Sequence, residues 1–145
     1  MKTAIVYCSR HHGNTKQLLD AIAAVRDVTL IDVLQTPVPD LQEYDRIGFA
    51  SGIYYSKFHK AVLQAAETQL PQGKDVFFLY TFGAKKEGYT NAIRQAVSRH
   101  DARILGEYGC FGWNTFGPFR LVGGMAKGHP DQMEQTGALA FFDDL

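Results

Sequence analysis

Between Tyr7 and Lys16 the chain reads YCSRHHGNTK. Within that run lie a thiol (Cys8), a guanidinium (Arg10), two adjacent imidazoles (His11, His12) and a Gly13-Asn14-Thr15 turn. Three chemistries suit such residues: a nucleophile, a metal centre, or a backbone cradle for a phosphate. Adjacent histidines do not converge readily on one ion, and no third ligand stands near them in sequence, so no metal site is expected. Cys8 closes an apolar run and reads as a small buried residue. The cradle is the better fit. Gly13 permits a tight turn, the N–H groups and dipole of a following helix favour an anion, and Ser9, Thr15, Arg10 and either histidine can add donors. The same residues also suit a plain turn with a helix cap.

Spacing removes several relatives of this arrangement. A P-loop needs a second glycine five residues before Gly-Lys-Ser/Thr, and neither it nor the dinucleotide glycine fingerprint is present. A small cysteine phosphatase needs an arginine six residues after the cysteine, where Asn14 stands. A receiver domain needs acids where this chain has Ser9, Arg10 and Ser51.

Two further stretches carry similar weight. Ser51-Gly52-Ile53-Tyr54-Tyr55 follows an apolar run and sets aromatic side chains where the chain should turn, a poor place for them unless they cover a flat ligand. One of the two tyrosines is expected to pack against the helix that follows, and His59 reads as a helix-surface residue. Thr81-Phe82-Gly83-Ala84 offers small residues and backbone groups suited to the edge of a heterocycle. No side chain stands out as a general acid or base, so no catalytic residue is assigned.

The elements that must position these loops are legible as alternation. Strand-length apolar runs occupy residues 3–8, 28–32, 46–51, 76–82 and 103–111, several of them continuously apolar, as strands covered on both faces must be. Helical spacing links Leu18, Ile22 and Val25; then Val62, Ala65 and Ala66; then Ala92, Ile93, Ala96 and Val97. Met133, Ala138 and Phe141 imply a last helix, with Pro130 in its first turn. Residues 34–45, with two prolines, read as a loop. Alternation of this kind predicts an α/β fold in one domain over residues 1–145: a three-layer, doubly wound, five-stranded parallel sheet of order 2-1-3-4-5. Ligands of such sheets bind outside the carboxyl ends of the strands, where the order reverses. All three loops lie there.

Together the three loops resemble the flavodoxin family over the whole chain. The resemblance implies bound FMN, with its phosphate in the first loop. Gly13, Asn14 and Thr15 match the end of that loop's hydroxyl-x-Thr-Gly-x-Thr pattern, while Arg10 and His12 replace hydroxyl residues. It implies that Tyr54 stacks on the isoalloxazine and that Thr81 to Ala84 cover its edge. The cofactor-binding set so read is Ser9, Arg10, His11, His12, Gly13, Asn14 and Thr15; Ser51, Gly52, Ile53, Tyr54 and Tyr55; and Thr81, Phe82, Gly83 and Ala84.

Composition bounds the partners. The 145 residues hold 15 Lys and Arg against 15 Asp and Glu, a balance that argues against nucleic-acid binding. No apolar run nears the ~20 residues of a membrane helix. With two cysteines in no recognisable spacing and no signal-peptide pattern at Met1, the expectation is a cytoplasmic protein that engages no membrane. Charge distribution is more telling. Arg10, Lys16, Lys57, Lys60, Lys85, Lys86, Arg120 and Lys127 fall on the presumed rim, against Glu87. Flavodoxins that shuttle electrons usually ring the flavin with carboxylates; a basic rim instead favours reduced, anionic flavin and an anionic reactant, either NAD(P)H or an acidic redox partner protein.

The expected function is electron transfer through the flavin. The alternative is a small FMN-dependent reductase or oxidase acting on a quinone-like or porphyrinogen-like ring, and a third reading is a cofactor-free interaction module. Residues 112–131 form a long connection anchored by Trp113, Phe116, Phe119 and Met125, suited to covering the site or to a dimer contact. Monomer and homodimer both remain open. Cys110, just before it, reads as a buried thiol.

Overall fold

The computed structural model describes residues 1–10, 12–113 and 127–145. Its elements run β1 (Thr3–Cys8), α1 (Asn14–Ala23), β2 (Thr29–Asp32), β3 (Arg46–Tyr54), β4 (Lys57–Phe58), α2 (Lys60–Gln69), β5 (Asp75–Phe82), α3 (Asn91–Ser98), β6 (Arg103–Phe111) and α4 (Gln132–Asp143). Five strands form a parallel sheet of order β2-β1-β3-β5-β6. That is the expected doubly wound order, with the fourth and fifth predicted strands now labelled β5 and β6. The addition is β4, a two-residue strand that pairs antiparallel with the end of β3.

Period-two alternation along the strands divides the core into two layers. From β1, Ala4, Val6 and Cys8 join a cluster roofed by Val62, Ala65 and Ala66 of α2 and Ile93, Ala96 and Val97 of α3. Ile5 and Tyr7 join the opposite cluster, roofed by Leu18, Leu19 and Ile22 of α1 and Ala138 and Phe142 of α4. Every residue of β1 is buried, which explains why its sequence is continuously apolar rather than alternating.

The helix ends depart from the sequence reading in particular ways. Val25 and Met133 share the predicted helical spacing but are exposed. Val25 lies beyond the end of α1, and Met133 sits in the first turn of α4, away from the core. Pro130 precedes the helix rather than starting it. Asp131 is the N-cap, and it exchanges hydrogen bonds with Glu134 in a reciprocal capping box.

Register leaves little space at the sheet centre. Gly48 of β3 pairs with Phe77 of β5, and a Cβ at Gly48 would stand 2.5 Å from the Phe77 ring and 3.2 Å from Ile5 Cγ1. Gly48→Ala should therefore overpack the core and cost about 1–3 kcal/mol. Thermal denaturation should show Tm lower by about 2–4 °C for each kcal/mol lost; an unchanged Tm would mean that Phe77 swings aside without penalty.

Candidate functional site

Because β1, β3, β5 and β6 are parallel, their carboxyl ends share one edge of the sheet, and the loops leaving them enclose a cleft of about 530 Å3. Its lining comes from four loops: Ser9, Arg10, Asn14 and Thr15; Gly52 to Tyr55; Thr81, Phe82 and Gly83; and Gly112 with Trp113. The volume falls within the range of small-molecule and cofactor sites.

The first loop enters α1 through Gly13, which is left-handed with φ 65° and gives the helix no side-chain cap. The Ser9 hydroxyl accepts from the Lys16 N–H at 3.1 Å, folding the loop back over the helix start. A helix N-terminus that its own N-cap glycine leaves without a side-chain cap, beside an exposed guanidinium, favours an anion. Asn14 and Thr15 anchor the loop from beneath. The Thr15 and Thr81 hydroxyls are hydrogen-bonded at 2.9 Å in a buried pair, tying the first loop to the third. Asn14 Nδ2 donates to the Trp113 carbonyl at 2.8 Å, tying it to the fourth. The other Asn14 side-chain atom, Oδ1, is buried without a hydrogen-bond partner among the described residues. Gly112 must remain glycine for this fit, since a Cβ there would meet the Asn14 amide at 2.7 Å.

The second loop is a β-hairpin rather than a chain turning across the sheet. Ile53 pairs with Phe58 and Tyr54 with Lys57, leaving Tyr55 and Ser56 at the tip with φ 52° and 67°. Two non-glycine residues at positive φ are costly, and strain of that kind concentrates at functional sites. Tyr55 is 89% exposed. Tyr54 is turned inward, edge-on to the His59 ring with centroids 5.1 Å apart. Its phenol is raised above the ordinary value, first by burial and then by Cys8, against a lowering contact with the Arg10 backbone. His59 caps α2, its Nδ1 accepting from the Ala61 N–H at 3.0 Å. Burial and then the Arg10 charge hold this imidazole below its ordinary value, keeping the accepting nitrogen free of a proton.

In the third loop Phe82 is buried between Tyr89, stacked with centroids 5.9 Å apart, and Phe111 at 4.9 Å. The Tyr89 hydroxyl donates to the Ala84 carbonyl. In the fourth, His12 stacks on Trp113 at 3.7 Å, and Lys127 Nζ stands 5.7 Å from the Trp113 ring centroid. The Trp113 N–H donates to the His129 carbonyl at 2.9 Å, and His129 Nδ1 is itself hydrogen-bonded to Glu134 of the α4 capping box. Helix α4 thus braces the tryptophan.

Of the residues proposed from sequence, Ser9, Arg10, Asn14, Thr15, Gly52, Ile53, Tyr54, Tyr55, Thr81, Phe82 and Gly83 line this one cleft. His12, Gly13, Ser51 and Ala84 shape it without lining it. Gly13 is the helix-entry residue, Ser51 accepts from the His59 N–H and donates to the Gly52 carbonyl, and His12 supports Trp113. His11 lies outside the described residues. Gly112 and Trp113 are the lining residues absent from that set; their sequence cue was the long aromatic-anchored connection after β6, most of which also lies outside the described residues. His59 is a cap and a neighbour of Tyr54 rather than a bystander on the helix surface.

Cys8 and Cys110 are both buried and free. Burial, followed by nearby Asp32, pushes the Cys8 thiol up to about 11. Burial, followed by Glu134 and Asp131, pushes Cys110 up to about 12. Neither is poised as a thiolate.

Comparison with known proteins agrees with this fold. A family model described as a flavodoxin domain matches residues 4–113. The chain belongs to the flavodoxin family. An uncharacterized protein of Methanocaldococcus jannaschii is 33% identical over 134 residues, spanning 91% of this chain and 89% of that one. Among solved structures, a flavodoxin from the domain Archaea superposes with TM-score 0.67 at 18% identity, covering 99% of this chain and 95% of that one. General stress protein 14 of Treponema denticola, in complex with FMN, gives TM-score 0.68 at 13% identity and covers 99% of each chain. At such identities these two structures speak to the fold of this flavodoxin-family protein. Among the described residues no helix is long and apolar enough to cross a membrane.

Two outcomes follow for the cleft's supports. Protonating His59 removes the α2 cap, and its lowered value means that stability is fully present above the unfolded imidazole's value, near 6.5, and is lost as pH falls through the folded one. Denaturant melts from pH 7.5 to 5 should show a loss that shrinks in His59→Asn, which keeps a capping acceptor without the titration; an equal loss in both would refute the cap's role. The thiols carry the opposite sign. Both are raised above the ordinary 9.0, so stability should fall as pH climbs from about 9 through about 11, and native Cys8 and Cys110 should resist a thiol reagent that labels the unfolded chain at once.

Proposed function

We propose that this protein binds FMN in the cleft and transfers electrons through it. The observation that carries this reading is the combination at one cleft of a helix start entered through Gly13, the exposed Arg10 and a buried Asn14 Oδ1 lacking a partner among the described residues, flanked by tyrosines on one side and Trp113 on another. The residues fit the group. The Ser9–Thr15 turn suits its phosphate, Asn14 Oδ1 suits a hydroxyl donor on its side chain, and aromatic walls suit a flat ring. When bound, FMN supplies the electron and hydride chemistry. The chain's own residues bind and orient it. Arg10 and the helix dipole hold negative charge, the Thr15–Thr81 and Asn14–Trp113 hydrogen bonds keep the loops at fixed spacing, and the buried aromatics around Phe82 exclude water from the cleft floor. Family membership supports the reading, as does the FMN complex of the Treponema denticola protein.

A second reading is a small FMN-dependent reductase or oxidase whose ring-shaped substrate, quinone-like or porphyrinogen-like, enters the same cleft. The exposed Tyr55 at the mouth favours it, since an aromatic held in a strained turn can stack on an incoming ring. NAD(P)H oxidation by the purified protein alone supports this enzyme; reduction solely through a separate reductase supports the carrier.

The deciding experiment is the visible spectrum followed by titration with FMN. The expected result is flavin absorbance near ~450 nm and saturable binding; a colourless protein that takes up no FMN overturns the proposal. Arg10→Ser should weaken FMN binding about 10-fold or more, as loss of a charge-assisted hydrogen bond does. Unchanged affinity would assign Arg10 to the rim rather than to the phosphate.

A further inference from the structure

Ion pairing engages six of the basic residues among those described. Lys2, Lys16, Arg26, Arg94, Arg99 and Arg103 are each matched with an acid at 2.6–3.2 Å, while the half-buried Arg46 and Lys74 instead donate to the Thr3 hydroxyl and the Gln42 carbonyl. Lys16, expected on the rim, belongs to this group through Asp20, and Arg120 lies outside the described residues. The loops at the carboxyl edge carry the opposite pattern. Arg10 after β1, Lys57 and Lys60 on the hairpin and the start of α2, Lys85 and Lys86 after β5, and Lys127 beside Trp113 are all exposed, and none is in an ion pair among the described residues. The acids of this edge are fewer: Asp32 at the end of β2, Glu87 in the β5–α3 loop, and Asp131 and Glu134 at the start of α4, against these six unpaired cations. A protein of zero net charge thus concentrates unpaired positive charge around one opening.

We infer that this crown is a docking surface for a protein partner with a carboxylate-rich face, centred on the Tyr55 tip. Two features favour a protein over a small anion such as a pyridine dinucleotide. The cations stand on four separate loops around the cleft instead of converging on one point, as recognition of a single phosphate requires. Their spread, from Arg10 on the first loop to Lys127 beside Trp113, follows the whole mouth of the cleft, as a face rather than a point of contact does. Tyr55, 89% exposed in a strained turn, supplies the large amphipathic anchor common at the centre of protein interfaces. Complementary charge of this kind steers encounter and sets orientation more than it adds affinity. That the partner exchanges electrons rests on the flavin reading above; the docking itself does not.

The test uses an acidic [2Fe–2S] ferredoxin as probe and basic cytochrome c as its opposite, with affinities measured by calorimetry at about 20 mM and about 200 mM salt, on either side of effective screening. The expected result is ferredoxin binding that weakens with salt and falls about 10-fold or more in Lys57→Glu/Lys85→Glu/Lys86→Glu, a variant outside the cleft lining that should keep its circular dichroism and its FMN affinity. The same variant should gain affinity for cytochrome c, an outcome that unfolding cannot mimic. Tyr55→Ser should weaken ferredoxin binding at both salt concentrations. Ferredoxin binding that is absent, or indifferent to salt and to charge reversal, overturns the inference. So does saturable NADPH or duplex DNA binding that the triple variant abolishes while ferredoxin fails to bind. Failure to take up FMN, with salt-dependent ferredoxin binding intact, removes the flavin reading and leaves the docking surface standing.

Discussion

Parallel pairing of β1 with β3 is the constraint on which the cleft depends. It runs from Thr3 opposite Arg46 to Cys8 opposite Ser51, and it sets the first and second loops side by side at the same height. Neither strand can slip by one residue, because that would turn Ala4, Val6 and Cys8 out of one layer and Ile5 and Tyr7 out of the other. With both faces buried, register is held by two cores at once. The reversal of strand order beside β1 then leaves a gap above the sheet that neither α1 nor α2 fills.

The loops around that gap are held by a few directional contacts rather than by bulk packing. Thr15 reaches Thr81, Asn14 reaches Trp113, Ser51 reaches His59, and His129 reaches Glu134. Each joins residues from different loops or from a loop to a helix. Such bonds, buried between Thr15 and Thr81 and part-buried in the other three, are costly to leave half made. Asn14 is the exception within this scheme, with its amide nitrogen engaged and its oxygen lacking a partner among the described residues.

Electrostatics divides along the same line. On the body of the protein, most positive groups lie against acids: Arg26 binds Asp143, Arg103 binds Asp75, and Arg94 joins Tyr80 and Thr90 around Glu107; Arg46 and Lys74 are held by the Thr3 hydroxyl and the Gln42 carbonyl. Such exposed pairs contribute little stability each, but they cancel the field over most of the surface. Cancellation stops at the cleft rim. What distinguishes this face is the lack of neutralising partners there, and net charge alone conceals it.

Much of this was legible before any coordinates. The continuous apolar runs of β1 and β5 required strands buried on both faces, and the helical spacing between the strands required crossovers, so the strand order and the edge bearing the loops followed. The Gly13-Asn14-Thr15 turn and the Tyr54-Tyr55 pair placed the cleft, because backbone conformation at a glycine turn and the solvation cost of adjacent aromatics are local properties. What the tertiary structure decided was everything that depends on a partner distant in sequence. Tyr54 and Tyr55 are indistinguishable as neighbours, and only the hairpin closed by Lys57 turns one inward and holds the other out. His59 became a cap because α2 starts there. Trp113 entered the lining because Asn14 reaches it from 99 residues away. Lys16 is neutralised because one helical turn brings Asp20 to it. Composition and periodicity record what each residue prefers; which preference is met depends on the groups that folding brings within about 3 Å, where hydrogen bonds and ion pairs form.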